Sequence, residues 1–186
     1  MLALGSGSAL AEPQSGADMA DRSAVSRVDD GSFEYPAAPA NSFRTVLAGQ
    51  PIGPWKVTRG AVDLIGAGFW QAAQGKQSVD LNATRPGTVA QTFSTKPFTK
   101  YTVTYSLAAN PGGQAVKTGR VLVDGRNVQN FSFDSTGKTR ANMGYRTRQV
   151  TFLALGFTTT LAFESTIAGA YGPVIDDVRV DRTCHR

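Results

Sequence analysis

The chain has 186 residues, enough for one domain with a substantial core and short for two. Charged residues make up only 18%, and the net charge of +5 is scattered, with no block of five or six like charges. That spread excludes an evident basic stripe for nucleic acid, and no run of eighteen apolar residues is present to span a membrane. The single cysteine, Cys184, cannot make an internal disulfide framework or a four-ligand zinc site, and the single histidine, His185, sits beside it in the tail. Ser-His-Asp, Cys-His and His-rich metal catalysis therefore lack their parts.

The chain opens on small and apolar residues and reaches Ala9-Leu10-Ala11, which fits the small-x-small rule for signal cleavage. Residues 1–11 read as the remnant of a secretory signal peptide whose start lies upstream, or as a low-complexity leader. Residues 12–28, broken by Pro13 and Gly16, read as a disordered linker. The folded domain is expected over 29–182, with a tail at 183–186.

Phe43 to Leu47 is a short strand ended by Gly49 and Pro51, and Pro54 to Thr58 is the next. Gly60 turns into Ala61 to Ile65. Gly66-Ala67-Gly68 then presents Phe69-Trp70. In Ser78-Val79-Asp80-Leu81-Asn82, Val79 and Leu81 point one way and Ser78, Asp80 and Asn82 the other, because side chains alternate across a strand. That polar face is either a site at a sheet edge or a solvated outer face. Gly87 to Ser94 follows.

Thr99 to Ala109 has the clearest period of two, with Tyr101, Val103, Tyr105 and Leu107 on one side. Asn110-Pro111-Gly112-Gly113 is a turn, and Asp124-Gly125 joins two strands as a hairpin. Arg146 to Leu155, Phe157 to Ser165 and Val174 to Val180 complete the set. About ten short strands, frequent turns and no helical period predict an all-β sandwich or jelly roll.

Asp30, Glu34, Asp176 and Asp177 lie near the first and last strands, which can be neighbours in a jelly roll. Clustered carboxylates offer hard oxygen ligands suited to Ca²⁺; the alternative is that they are simply exposed. Trp55, Trp70, Tyr145 and Tyr171 form an aromatic set. Sugar C–H faces stack on flat rings while amides and guanidinium groups bind hydroxyls, which singles out Trp70 with Gln71 and Tyr145 with Arg146. Trp55 reads as core. Asp80 with Glu164 is a carboxylate pair for glycoside hydrolysis only if the two lie roughly 5–9.5 Å apart. Asn82-Ala83-Thr84 and Asn130-Phe131-Ser132 match the glycosylation sequon.

Several ordered motifs together resemble one family. Asp30-Gly31-Ser32-Phe33-Glu34-Tyr35-Pro36 looks like its opening. Val62-Asp63-Leu64-Ile65, Trp70-Gln71-Ala72, Ser78 to Asn82 and Pro86 to Gln91 look like its middle. Asn142-Met143-Gly144-Tyr145 and Tyr171 to Val178 look like its end. The resemblance, over residues 29–181, is to domain-of-unknown-function 642, whose bacterial members are called choice-of-anchor C proteins. It implies a galactose-binding-like jelly roll in a secreted or wall-associated protein, with plant relatives linked to cell-wall polysaccharides and pectin-modifying enzymes. It also implies a structural calcium between an early Glu and a late Asp, places matched by Glu34 and Asp177. Asp30 stands where many members have Asn, and adds a ligand or only a charge. Tyr145 replaces the usual Trp. Plant relatives have two tandem domains and choice-of-anchor proteins often a C-terminal anchor; this sequence shows one domain and no anchor. The expectation is a secreted, non-catalytic module binding a cell-wall polysaccharide. The alternative is a module docking on an extracellular wall-modifying enzyme.

Overall fold

The computed structural model describes residues 26–183. The expected signal remnant, nearly all of the linker, Cys184 and His185 lie outside the described residues.

Twelve strands follow in order: β1 (Phe43–Leu47), β2 (Pro51–Ile52), β3 (Trp55–Arg59), β4 (Ala61–Ile65), β5 (Ser78–Asp80), β6 (Thr88–Ser94), β7 (Lys100–Ala109), β8 (Val116–Val123), β9 (Arg126–Asp134), β10 (Arg146–Leu153), β11 (Thr158–Ser165) and β12 (Pro173–Arg182). They build two six-stranded sheets, ordered β1-β4-β5-β12-β7-β10 and β2-β3-β6-β11-β8-β9. Every strand pairing is antiparallel, and no helix occurs among the described residues. The expected all-β sandwich is what forms. The two-residue β2 escapes a reading by periodicity because it is shorter than one full alternation.

The core lies between the sheets. Tyr101, Val103, Tyr105 and Leu107 of β7 are buried in it, as their period of two requires. Tyr105 meets the Phe163 ring edge-on at 4.9 Å, and Trp55 packs near Phe163 at 6.4 Å. Trp55 is fully buried, as its core reading predicts, and its indole N–H donates to the Asp30 carbonyl at 3.0 Å. Each large apolar side chain so buried contributes about 1.5–3 kcal/mol.

The first and last segments of the domain are neighbours. Arg27 N–H donates to the Val180 carbonyl and Val178 N–H to the Gly31 carbonyl, both at 2.8 Å. The register of β12 against β7 shifts between Asp176 and Arg179, and Asp177 within that irregularity has φ of 48°.

Candidate functional site

Strand register sets out the floor of the site. Thr45, Asp63 and Asp80 stand opposite one another across β1, β4 and β5, and the next row is Phe43, Ile65 and Ser78. These side chains alternate with Leu64 and Val79, which are fully buried, so both rows face away from the inter-sheet core. The loops carrying Phe69 and Trp70, Ala83 and Thr84, Asn110, Arg140, and Ala170 and Tyr171 rise around this floor. The result is a groove of about 380 Å³.

The groove is aromatic on its rims and polar at its base. Phe43 and Tyr171 are 44% and 49% exposed. Phe69 meets Phe43 edge-on at 5.6 Å and lies tilted to Trp70 at 5.3 Å, and the Arg140 guanidinium lies 4.2 Å above the Phe69 ring. At the base, the Thr45 hydroxyl donates to Asp63 Oδ1 at 2.6 Å. Asp63 is half-buried, and burial raises its pKa against that hydrogen bond.

Asp80 is sealed beneath the groove. Its Oδ1 accepts the Asn82 and Gly172 N–H groups at 2.9 and 3.0 Å, and its Oδ2 accepts Asn110 Nδ2 at 2.8 Å. Burial pushes its pKa up to about 7 against these three donors, which favour the anion, and the nearby Asp63 charge adds to the rise. Asn82 Nδ2 in turn donates to the Ile167 and Gly169 carbonyls. Asp176 does similar work beside it. Its Oδ2 accepts the Ala73 and Gln74 N–H groups at 2.7 and 2.9 Å, and burial likewise raises its pKa to about 7. Asp80 therefore ties down the 167–172 loop with Tyr171, and Asp176 ties down the loop that follows Trp70. The polar face expected on Ser78, Asp80 and Asn82 exists, but it is buried rather than solvated, with exposures of 0%, 1% and 0%.

Trp70 lines this groove, whereas Gln71 is not among its lining residues. Trp70 is only 6% exposed, and its indole N–H donates to Ser78 Oγ at 2.9 Å. Gln71 is exposed and supports the neighbouring turn: its N–H donates to the Arg140 carbonyl at 2.8 Å and its Oε1 accepts Met143 N–H at 3.0 Å. Tyr145 and Arg146 are not among the groove's lining residues. Tyr145 packs against the core with its hydroxyl buried toward Ser78, Asp176 and Asp80, so its pKa is raised by burial. Arg146 is exposed, with its guanidinium 5.9 Å from the Phe133 ring centre.

The carboxylates Asp30, Glu34 and Asp177 are each occupied by separate N–H donors. Asp30 accepts Glu34 and Tyr35 N–H, Glu34 Oε1 accepts Lys76 and Gln77 N–H, and Asp177 pairs with Arg179 at 3.0 Å. No group of three or more acidic, His or Cys residues converges as a metal site among the described residues. Glu164 lies in the other sheet from Asp80, held by Arg59 and Arg120, so the two do not share the groove. Asn82 of the first sequon is buried, whereas Asn130 of the second is exposed.

Sequence reasoning missed Phe43, Asp63, Asn110 and Arg140. Asp63 carried a visible signal, a lone carboxylate inside the apolar run Val62-Asp63-Leu64-Ile65. Its partner Thr45 is set by strand pairing, which no local pattern shows.

The architecture is the β-sandwich of carbohydrate-binding modules. A CBM61 structure in complex with β-1,4-galactotriose is similar with a TM-score of 0.52 at 14% identity, over 85% of this chain and 99% of that one. The CBM22-1 xylan-binding domain from Paenibacillus barcinonensis Xyn10C has a TM-score of 0.51 at 18% identity, over 81% of this chain and 100% of that one. The DUF642 family, described as a protein of unknown function, matches residues 26–181, and the chain belongs to that family. Halomucin of Haloquadratum walsbyi (strain DSM 16790 / HBSQ001) is 26% identical over 158 residues, which are 82% of this chain and 2% of that protein. The chain thus spans about 2% of the length of that relative.

Proposed function

We propose that this chain is a secreted, non-catalytic module that binds a polysaccharide of the cell wall in the groove over β1, β4 and β5. One observation carries the reading: two half-exposed rings, Phe43 and Tyr171, stand over a base that offers a carboxylate, an amide and a hydroxyl on Asp63, Asn110 and Thr45. Ring faces suit the C–H surface of a pyranose, and the polar base suits its hydroxyls. The volume falls within the range of about 300–1,000 Å³ usual for small-ligand sites. Neighbours of the same fold that bind galactotriose and xylan support the ligand class. Trp70 and Gln71 act here as the supporting loop, with Phe43 and Tyr171 making the ring contacts.

The chemistry of the base supports a non-catalytic role. Asp80 spends both oxygens on internal donors and Asp63 spends one on Thr45, so no free acid and base flank a common point.

The test is retention of the purified chain on insoluble cellulose, xylan, galactan, pectin, chitin and peptidoglycan. Selective retention on one glycan, lost in the Phe43→Ala/Tyr171→Ala variant at unchanged melting temperature, is expected. Retention unaffected by that variant would move the site elsewhere. No retention of folded protein on any glycan would overturn the reading.

A further inference from the structure

A second concentration of solvent-facing apolar surface lies away from the groove. Phe98, Phe157, Leu155 and Leu153 are 81%, 79%, 61% and 48% exposed. Phe98 comes from the β6–β7 loop, Leu155 and Phe157 from the β10–β11 loop and Leu153 from the end of β10, and the two loops are stitched together. Phe98 N–H donates to the Ala154 carbonyl at 2.8 Å, Ala154 N–H to Thr99 at 3.0 Å, and Thr95 N–H to Phe157 at 2.8 Å. Phe98 also has φ of 58°, a left-handed conformation that costs a non-glycine residue about 1–2 kcal/mol. The chain accepts that cost at a residue whose ring projects into water.

The surroundings are basic. Exposed Lys96 and Lys100 sit two residues to either side of Phe98, and Lys100 is the cross-strand partner of Leu153. Arg126 lines the same hollow of about 310 Å³ as Leu153 and Leu155. Asp124 lines it too, but its Oδ1 is occupied by Thr160 N–H at 2.8 Å.

We propose that this tip docks the protein on an anionic lipid bilayer. The two Phe and two Leu side chains enter the boundary between headgroups and acyl chains, while Lys96, Lys100 and Arg126 face the anionic headgroups. Apolar side chains flanked by cations are the chemistry of interfacial insertion. Size favours lipid over a second copy of the chain. Four such side chains expose on the order of 400 Å², about half of what one partner brings to a stable protein interface. A bilayer asks for no matching surface. Geometry leaves the groove free. The tip precedes β7 and Asn110 follows it, so ten residues of strand, about 30 Å, separate the two sites. The proposal does not depend on the groove binding a glycan.

The test is co-sedimentation of the full chain with phosphatidylcholine vesicles, with and without phosphatidylglycerol. The variants are Phe98→Asp/Phe157→Asp and Lys96→Glu/Lys100→Glu, each checked for an unchanged melting temperature. The expected result is partition onto the anionic vesicles, about tenfold weaker on neutral ones and about tenfold weaker in each variant. Absence of partition, or partition that the Phe variant leaves unchanged, would overturn the proposal. So would a wild-type dimer in sedimentation that the Phe variant dissociates, which would assign the tip to a second copy.

Discussion

Asp63 and Asp80 are paired residue to residue across β4 and β5, yet one meets solvent and the other is sealed. The difference divides their work. Asp63 keeps an oxygen for a ligand, whereas Asp80 uses three N–H donors to fix the loops around it. Asp63→Ala should therefore weaken glycan binding about tenfold, the worth of one hydrogen bond to a charged group, and change the melting temperature little. Asp80→Ala should strand those donors and cost about 3 kcal/mol or more of stability. Calorimetric titration with the selected glycan and thermal melts separate the two. Equal loss of stability in both variants would refute the division.

Stability should fall as pH rises from 5 to 8. Burial pushes the pKa of Asp80 and Asp176 up to about 7, against 3.8 for a solvated aspartate, so the folded state holds their protons more tightly. That contribution is complete below pH about 4 and is lost as pH passes through 7. The expected melting temperature is several degrees higher at pH 5 than at pH 8, given about 2–4 °C per kcal/mol for a chain of this size. Asp176→Asn should flatten the profile. A melting temperature that rises toward pH 8 would contradict the burial argument.

The aromatic residues give a third contrast. Phe43→Ala and Tyr171→Ala remove half-exposed rings and should reduce glycan retention with small effects on folding. Trp70→Ala removes a buried indole and its bond to Ser78, and should cost about 3–5 kcal/mol. Denaturant melts read beside the retention assay check both. If Trp70→Ala retained full stability, the indole would not be the prop it is described as.

What could be read beforehand follows from the range of each signal. The period of two in Tyr101 to Leu107 is local, so β7 and the sandwich class were legible, as was Trp55 as core. The opposed faces of Val79 and Ser78-Asp80 were legible for the same reason. Their burial was not, because the covering loops arrive from residues 70 and 167–172, and only pairing across the sheet brings them there. Tyr171 was visible as an aromatic residue in a turn. Phe43 was not, since its role depends on facing Ile65 across β1 and β4. Tyr145 misled because a ring after Met143-Gly144 looks presentable, while its hydroxyl is drawn inward over the buried carboxylates.

Gly172 shows how closely the 167–172 loop lies on the sheet. A β-carbon there would sit 2.5 Å from both Asn82 Oδ1 and Asp80 Oδ1 and 2.7 Å from the Asn82 nitrogen. Two of these contacts are to side chains already fixed by hydrogen bonds, so they cannot yield cheaply. Gly172→Ala should push the loop outward, break the Gly172 N–H bond to Asp80 and cost about 2–4 kcal/mol. Because Tyr171 rides on the same loop, glycan retention should fall as well, even at temperatures where the variant is folded. Hydrogen exchange would read faster opening at residues 168–172 than in β7. A variant with wild-type stability and retention would mean that the loop is not held by this contact, and that Asp80 does not organise the rim it underlies.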